Sequence, residues 1–473
     1  MRHFCGHTVP LSDRPYTATH SHTDISILKT LLPHYKATLR LGLPIAVGQI
    51  GVIVMGFADT MMVGRYSTDA LAAASFVNNV FTLVTFLMMG YSYGLTPIVS
   101  ALHGRGDTRG AGAVLKQALV ANALFGAVLL GIMTVLYFFL HRMGQPAEIL
   151  PLVRSYYIVI LVSMVFVLFF NALRQFTDGT TDTATGMWIL LTGNVLNIVG
   201  NFFLIYGIGP FPELGLLGAG LSTCFSRFCM AVLLALVVAF RRRYAPYREG
   251  WRAERVRTAE VDRINRKSLP VSLQMGMESA AFTFSAVMAG WLGAVPLASY
   301  QVMVTVGTLG FLFYYSFGAG MSIRVASFVG TSDWARVRLA TRAGCHILCV
   351  MATLACLAFL FFAEPLIRAF SKDPAVVATA LTLIVPLMLY QFGDAMQICF
   401  ANALRGTSHV VSMMWIAFVS YVVVNIPAAY VLGFVCGLGI RGIFLAISLG
   451  LFTAAPLFYY QYRKVVSRQS AES

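Results

Sequence analysis

Three carboxylates lie deep inside apolar runs: Asp59 in GVIVMGFADTMMVG, Glu278 in VSLQMGMESAAFTFSA and Asp394 in VPLMLYQFGDAMQICFANAL. At the centre of a membrane-spanning helix an acid costs roughly 2.5 to 3.5 kcal/mol, so such residues face a polar cavity and mark a path for ions, protons or substrate. Polar partners recur at helical spacing. Asn197 and Asn201, four apart in LLTGNVLNIVGNFFLIYG, project from one helical face, Asn194 extends the stripe, and Thr223 follows on the next apolar run. A carboxylate, two amide carbonyls and a hydroxyl suit a hard cation such as Na⁺, and the same carboxylate, desolvated, can carry a proton instead. The plainer reading is interhelical hydrogen bonding, which suffices for Asn194 alone. Around the other acids, Gln274 sits at i−4 from Glu278 and Gln391 at i−3 from Asp394. If both acids face one cavity, a lipophilic cation is held by carboxylate attraction and by the aromatic surface that 35 Phe and 20 Tyr supply. Pairing with a buried base is the alternative, but Arg227, the base to hand, cannot neutralise three acids.

The elements that position these residues follow from composition. The chain has 473 residues, 58% apolar and 11% charged, against roughly a quarter charged in soluble proteins, and is a polytopic membrane protein. Twelve apolar runs are each long enough to cross a hydrocarbon core of about 30 Å. They fall near 38–62, 77–102, 113–140, 151–173, 186–208, 214–240, 269–293, 298–329, 342–363, 377–404, 410–433 and 438–461. The runs are apolar all round, which excludes a membrane barrel and leaves an all-α fold.

The net charge of +15 invites a nucleic-acid reading, which the placement of the charges removes. With the N-terminus and every second loop in the cytoplasm, 27 of the 34 Lys and Arg fall on that side, 6 fall opposite and Arg227 stays inside a helix. That split predicts cytoplasmic termini. The largest cluster, from RRRYAPYREGWRAERVR to Lys267, is a topogenic loop at the midpoint of the chain. The expected organisation is a tail at 1–37, a first lobe at 38–240, a basic linker at 241–268, a second lobe at 269–461 and a tail at 462–473. The eight cysteines show no metal spacing and read as small core residues. Asp178 and Asp182 are assigned to helix capping and solvation in a turn before the fifth span, and Asp107 and Asp333 to structural roles in equivalent loops.

An internal repeat sets the architecture. At an offset of 226 residues Leu43-Pro44 meets Leu269-Pro270, Gly94 meets Gly320, Gly104 meets Gly330 and Asp107 meets Asp333. Further on, FNALR ending at Arg174 answers ANALR ending at Arg405 at an offset of 231. Six spans per copy give both copies the same orientation, so a pseudo-two-fold axis along the membrane normal relates them, with a cavity between, as in parallel-repeat transporters that work by alternating access. The acids do not repeat: Asp59 meets Ser285 and Glu278 meets Val52. The repeated glycines and prolines are assigned to kinks and close packing.

The stretches LPIAVGQIGVIVMGFADTMMVGRYSTDALAAAS, LNIVGNFFLIYG followed by PELGLLGAG, ASYQV, and YQFGDAMQICFANALRGTSH resemble the multidrug and toxic compound extrusion (MATE) family, in its NorM-like branch. The resemblance covers about residues 35–460. It implies a V-shaped pair of six-helix lobes exporting cationic amphipathic compounds in exchange for Na⁺ or H⁺, in a bacterial inner membrane, as a monomer without a cofactor. Asp59, Asn197, Asn201 and Thr223 match the family's N-lobe cation site, and Glu278 and Asp394 its C-lobe acids. Asn402, His409 and Arg227 depart from the usual choices, and Arg227 leaves the coupling ion open. The rivals are a lipid-linked oligosaccharide flippase, which calls for a basic cavity, and a polytopic membrane enzyme, which calls for a surface catalytic cluster that the nine histidines do not form.

Overall fold

The computed structural model describes the backbone of residues 20–472, with side chains from Thr30 onward. The first nineteen residues of the expected N-terminal tail, with Cys5, lie outside the described residues. In a bilayer core every backbone N–H and C=O must be satisfied internally, and among the described residues the chain forms helices and no strand. The long helices are α1 (His20–Tyr66), α2 (Thr68–Gly104), α3 (Thr108–Phe139), α4 (Leu150–Gly179), α5 (Thr183–Tyr206) and α6 (Gly215–Phe240), then α7 (Thr258–Trp291), α8 (Ala294–Gly330), α9 (Trp334–Phe370), α10 (Ile384–Gly406), α11 (Val411–Val435) and α12 (Gly439–Glu472). Eleven of these are long and apolar enough to cross a membrane. The twelfth, α7, is equally long, but its Gln274, Glu278 and neighbouring serines dilute its apolar character. Helices overrun the apolar runs at both chain ends: α1 absorbs residues expected in the tail from His20 onward, and α12 continues to Glu472.

Which helices touch shows the duplication. In the first half α1 packs on α5, α2 and α3 on α4, and α4 and α5 on α6; in the second α7 packs on α11, α8 and α9 on α10, and α10 and α11 on α12. The halves meet reciprocally, α1 against α8 and α9, α7 against α2 and α3. Single residues repeat the same reciprocity. A Cβ on Gly94 would stand 2.6 Å from Ser268 Cα, and one on Gly320 would stand 3.2 Å from Gly42 Cα, residues 42 and 268 being themselves 226 apart. Gly104 presses on the Ser327 carbonyl and Gly330 on the Ala101 carbonyl. The repeated glycines thus let the lobes approach backbone to backbone.

The repeat register changes near the ends of α4 and α10. Gly179 lies against Val99 and the Thr96 carbonyl, while Gly406 lies against Val325 and the Ser322 carbonyl. Thr180 and Thr407 each donate to the carbonyl three residues back, and Thr181 and Ser408 both adopt positive φ. The equivalence is therefore an offset of 227, and the FNALR/ANALR match at 231 is one helical turn out of register. Asp178 then corresponds to Arg405.

The lobes are fastened at one end. Inter-lobe hydrogen bonds gather there: Arg324 donates to the His34 carbonyl and Thr38, Ser272 to the Leu87 carbonyl and Tyr91 to Asn265. The cores interlock at the same end, where Val261 and Ile264 of α7 join an apolar cluster of the first lobe and Tyr93 of α2 joins one of the second. At the far end each lobe has its own core, from Val63 to Ala219 in one and from Ala281 to Leu451 in the other.

Candidate functional site

In the first lobe α1 carries Asp59, α5 presents Asn197 and Asn201 one turn apart, and α6 brings Thr223. Asn201 Nδ2 donates to Asp59 Oδ1 at 2.5 Å, and Asn197 Nδ2 donates to Thr223 Oγ1 at 3.1 Å. Thr223 passes its own proton to the Ala219 carbonyl, and Ser222 donates to the Asn197 carbonyl. Both amide nitrogens are thus engaged, which turns both amide oxygens inward. Asn197 Oδ1 and Asn201 Oδ1 are buried without a hydrogen-bond partner. Two bare amide oxygens beside a carboxylate form an acceptor-rich set that a hard cation fits. The four residues predicted for this site are brought together.

Asn194 packs its amide against Gly51 of α1, but its Nδ2 is buried without a partner, so the interhelical hydrogen bond expected of it is not made there. Arg227 donates to Ser163 on α4 at 2.6 Å and makes no ion pair with any of the three acids. It lies within electrostatic reach of Asp59, as does the buried Tyr156, which the sequence reading missed.

The second site is likewise largely buried, with Glu278 half-buried. Asp394 on α10 is 2% exposed and Gln274 on α7 also 2%. Gln274 Nε2 donates to Glu278 Oε2 at 3.1 Å, one turn along the same helix. Glu278 and Asp394 interact electrostatically, so two acids share one region. Gln391 is different: its amide donates to the Gly307 carbonyl of α8 at 3.0 Å and fills the space beside Gly310, tying helices rather than touching the acids. Tyr390 and Tyr421 lie within reach of both carboxylates and Tyr314 within reach of Asp394, a ring from α8, α10 and α11. The sequence held a signal for Tyr390, one turn before Asp394; Tyr421 stands on a stretch of α11 wound in wide π-type turns, Phe418–Asn425, which periodicity does not foretell. Asp394 Oδ2 is buried without a partner, as is Asn425 Oδ1 on α11. Among the described residues no cluster of His, Cys, Asp and Glu could hold a resident metal.

Of the remaining acids, Asp182 caps α5 through Thr185 and also anchors the linker, accepting from the Tyr244 hydroxyl at 2.9 Å with Arg241 and Arg243 nearby. Burial and this carboxylate push the Tyr244 hydroxyl well above its ordinary range, which keeps it a donor. Asp107 and Asp333 cap α3 and α9. Asp178 departs from expectation: it is no solvated turn residue but is 5% exposed in the last turn of α4, 3.8 Å from Arg174 Nε.

Comparison with known proteins gives one answer. The profile of the MatE family matches residues 44–203 and 270–431, one stretch in each half. The chain is 28% identical to the multidrug resistance protein NorM of Vibrio cholerae, over 88% of this chain and 92% of that protein. It is also 28% identical to a probable multidrug resistance protein NorM of Acinetobacter baylyi, over 89% and 94%. Among solved structures, a MOP superfamily transporter from Pyrococcus furiosus superposes with a TM-score of 0.83 at 20% identity, covering 92% of this chain and 96% of that one. A eukaryotic MATE transporter superposes with a TM-score of 0.83 at 18% identity, covering 93% and 99%. These structures share the two-lobed, twelve-helix fold.

Proposed function

The chain belongs to the MatE family, and on that premise we propose that it is a multidrug efflux antiporter, exporting cationic amphipathic compounds in exchange for Na⁺ or H⁺. The observation that carries this reading is the pair of separate acidic sites, one per lobe, each with buried oxygens that lack a donor. Asp59 with Asn197, Asn201 and Thr223 takes the coupling cation. Glu278 and Asp394, ringed by Tyr314, Tyr390 and Tyr421, take the drug or a proton, with Gln274 as a hydrogen-bonding support. The acidic character of both sites argues against an anionic lipid-linked sugar as cargo.

The same geometry supports a reading of alternating access. Lobes fastened at one end can rock about that junction, exposing the sites to each side in turn. The concentration of Lys and Arg supports a cytoplasmic position for the fastened end and for both termini. A monovalent cation moving inward gains about 2.3 kcal/mol per 100 mV, and its arrival at a carboxylate weakens the hold on a cationic drug.

The test is efflux of a fluorescent lipophilic cation from proteoliposomes under an imposed Na⁺ or pH gradient. Asp59→Asn and Asp394→Asn should each abolish export while leaving the protein folded in the membrane. Full activity in both variants overturns the assignment.

A further inference from the structure

We propose that Asp178 and Arg405 form a latch between the lobes, and that Arg405 is shared with the C-lobe carboxylate site, so that the charge on Glu278 sets how tightly the lobes are fastened. The inference rests on reading Glu278 as a group that gains and loses a cation.

Its basis is a charge reversal on the pseudo-two-fold axis. At the register set by Gly179 and Gly406, Asp178 corresponds to Arg405 and Gln175 to Asn402, while Thr96 corresponds to Ser322 at the offset of 226. All six line one chamber at the lobe junction with about 20 Å³ of room, enough for a single water. Asp178 and Arg405 are each 5% exposed. Asp178 Oδ1 and Arg405 Nε have no hydrogen-bond partner, and no ion pair joins them among the described residues. Asp178 has Arg174 on its own helix. Arg405 has no such counter-ion, since the positions three and four residues away on either side hold Asn402, Ala401, Ser408 and His409.

The guanidinium of Arg405 is claimed from two directions. It lies over the ring of Tyr93, which belongs to the other lobe, at 5.7 Å. It also donates to Asn402 Oδ1 at 3.2 Å and to Gln274 Oε1 at 3.4 Å, and Gln274 in turn donates to Glu278 Oε2 at 3.1 Å. A buried cation goes to the strongest available anion. Ionised Glu278 holds Arg405 within the second lobe through Gln274. Once a cation or proton neutralises Glu278 that pull is lost, and Arg405 turns across the chamber to Asp178. An occupied C-lobe site therefore shuts the junction behind its cargo.

The test measures distances between nitroxide labels at the exposed positions Arg242 and Arg342, one on each lobe at the fastened end, in the full chain in lipid. It needs no transport, so it remains informative even if the exchange reaction proves to be something else. Glu278→Gln should raise the ratio of short to long distances by about tenfold, and Asp178→Asn should remove that response. Arg405→Gln should lower the ratio as Asp178→Asn does, with the double variant no worse than either single. Gln274→Leu leaves both latch charges in place and should uncouple the ratio from Glu278. An unchanged ratio in Glu278→Gln, or a response that survives Asp178→Asn, overturns the proposal. These two variants keep the test decisive should Arg405→Gln fail to fold.

Discussion

Asp59 and Glu278 stand on corresponding helices of two copies of one scaffold, yet they differ in depth and in company. Glu278 corresponds to Val52, so Asp59 sits seven residues, roughly 10 Å, further along its helix from the lobe junction. Both are half-buried, but Asp59 lies among amides and a hydroxyl, whereas Glu278 lies beside a second acid, the buried Asp394, within a ring of tyrosines. Much of the frame repeats: the glycines at the crossings, the aspartate caps, the reciprocal helix contacts. The inter-lobe hydrogen bonds do not, nor do the groups that could bind a charge. In the proposed mechanism the duplicated frame acts as the hinge, and the charged groups it carries differ from one half to the other.

The widest contrast is expected from the acids themselves. Removing one charged member from a buried site costs about 3 kcal/mol or more, so Asp394→Asn and Asp59→Asn should each lower export at least about a hundredfold. If the lobes are specialised, the defects differ in kind: Asp59→Asn loses the response to the cation gradient but still binds the lipophilic cation, and Asp394→Asn loses that binding. Equilibrium binding of the dye separates them, and identical defects would merge the two sites.

A smaller effect is expected from Asn201→Leu, which deletes the amide donor to Asp59. Hydrogen bonds to charged groups contribute about 1.5 to 3 kcal/mol, so half-saturation by the coupling cation should rise between about tenfold and a hundredfold with dye binding unchanged. Gly94→Ala and Gly320→Ala test the shared frame instead. Each places a methyl against backbone of the other lobe, and overpacking of this kind costs about 1 to 3 kcal/mol, read as loss of thermal stability in detergent. Similar losses support an equivalent hinge. Tyr421→Phe removes one hydroxyl near both C-lobe acids, with a change of about threefold to tenfold in dye affinity and none in cation dependence.

Much of this was legible in the sequence because bilayer physics leaves few choices. Apolar runs of spanning length have to be helices, and a buried acid has to face polar company, which is why Asp59, Asn197, Asn201 and Thr223 could be grouped before any coordinates. Gln391 misled because helical spacing tells which residues share a face but not which neighbour that face meets; here it meets Gly307 and Gly310. Asp178 misled because a TDGT sequence reads as a turn, while the helix carries on through Gly179 and buries the acid. The FNALR match misled because identical letters outweighed an offset that only contacts with Val99 and Val325 can fix.

The smallest effect is also the cleanest measure of how far the copies are alike. Asp107 and Asp333 each cap the helix that follows the junction, accepting from Gly110 N at 2.7 Å and from Arg336 N at 2.9 Å. Replacing an aspartate N-cap by alanine costs typically about 1 kcal/mol, because one backbone N–H of the first turn loses its acceptor. Asp333 also pairs with Arg336 at 3.2 Å, but the arginine side chain is 64% exposed, and an exposed pair adds at most about 1 kcal/mol. Asp107→Ala and Asp333→Ala should therefore destabilise the protein by similar amounts in unfolding measurements, with Asp333→Ala the larger by only a few tenths of a kcal/mol. Both should leave dye binding and cation dependence as they were, since neither aspartate touches an acidic site. A cap whose loss impaired binding in one lobe but not the other would mean that specialisation extends into the frame itself, and the division between repeated hinge and unrepeated chemistry would fail at that turn.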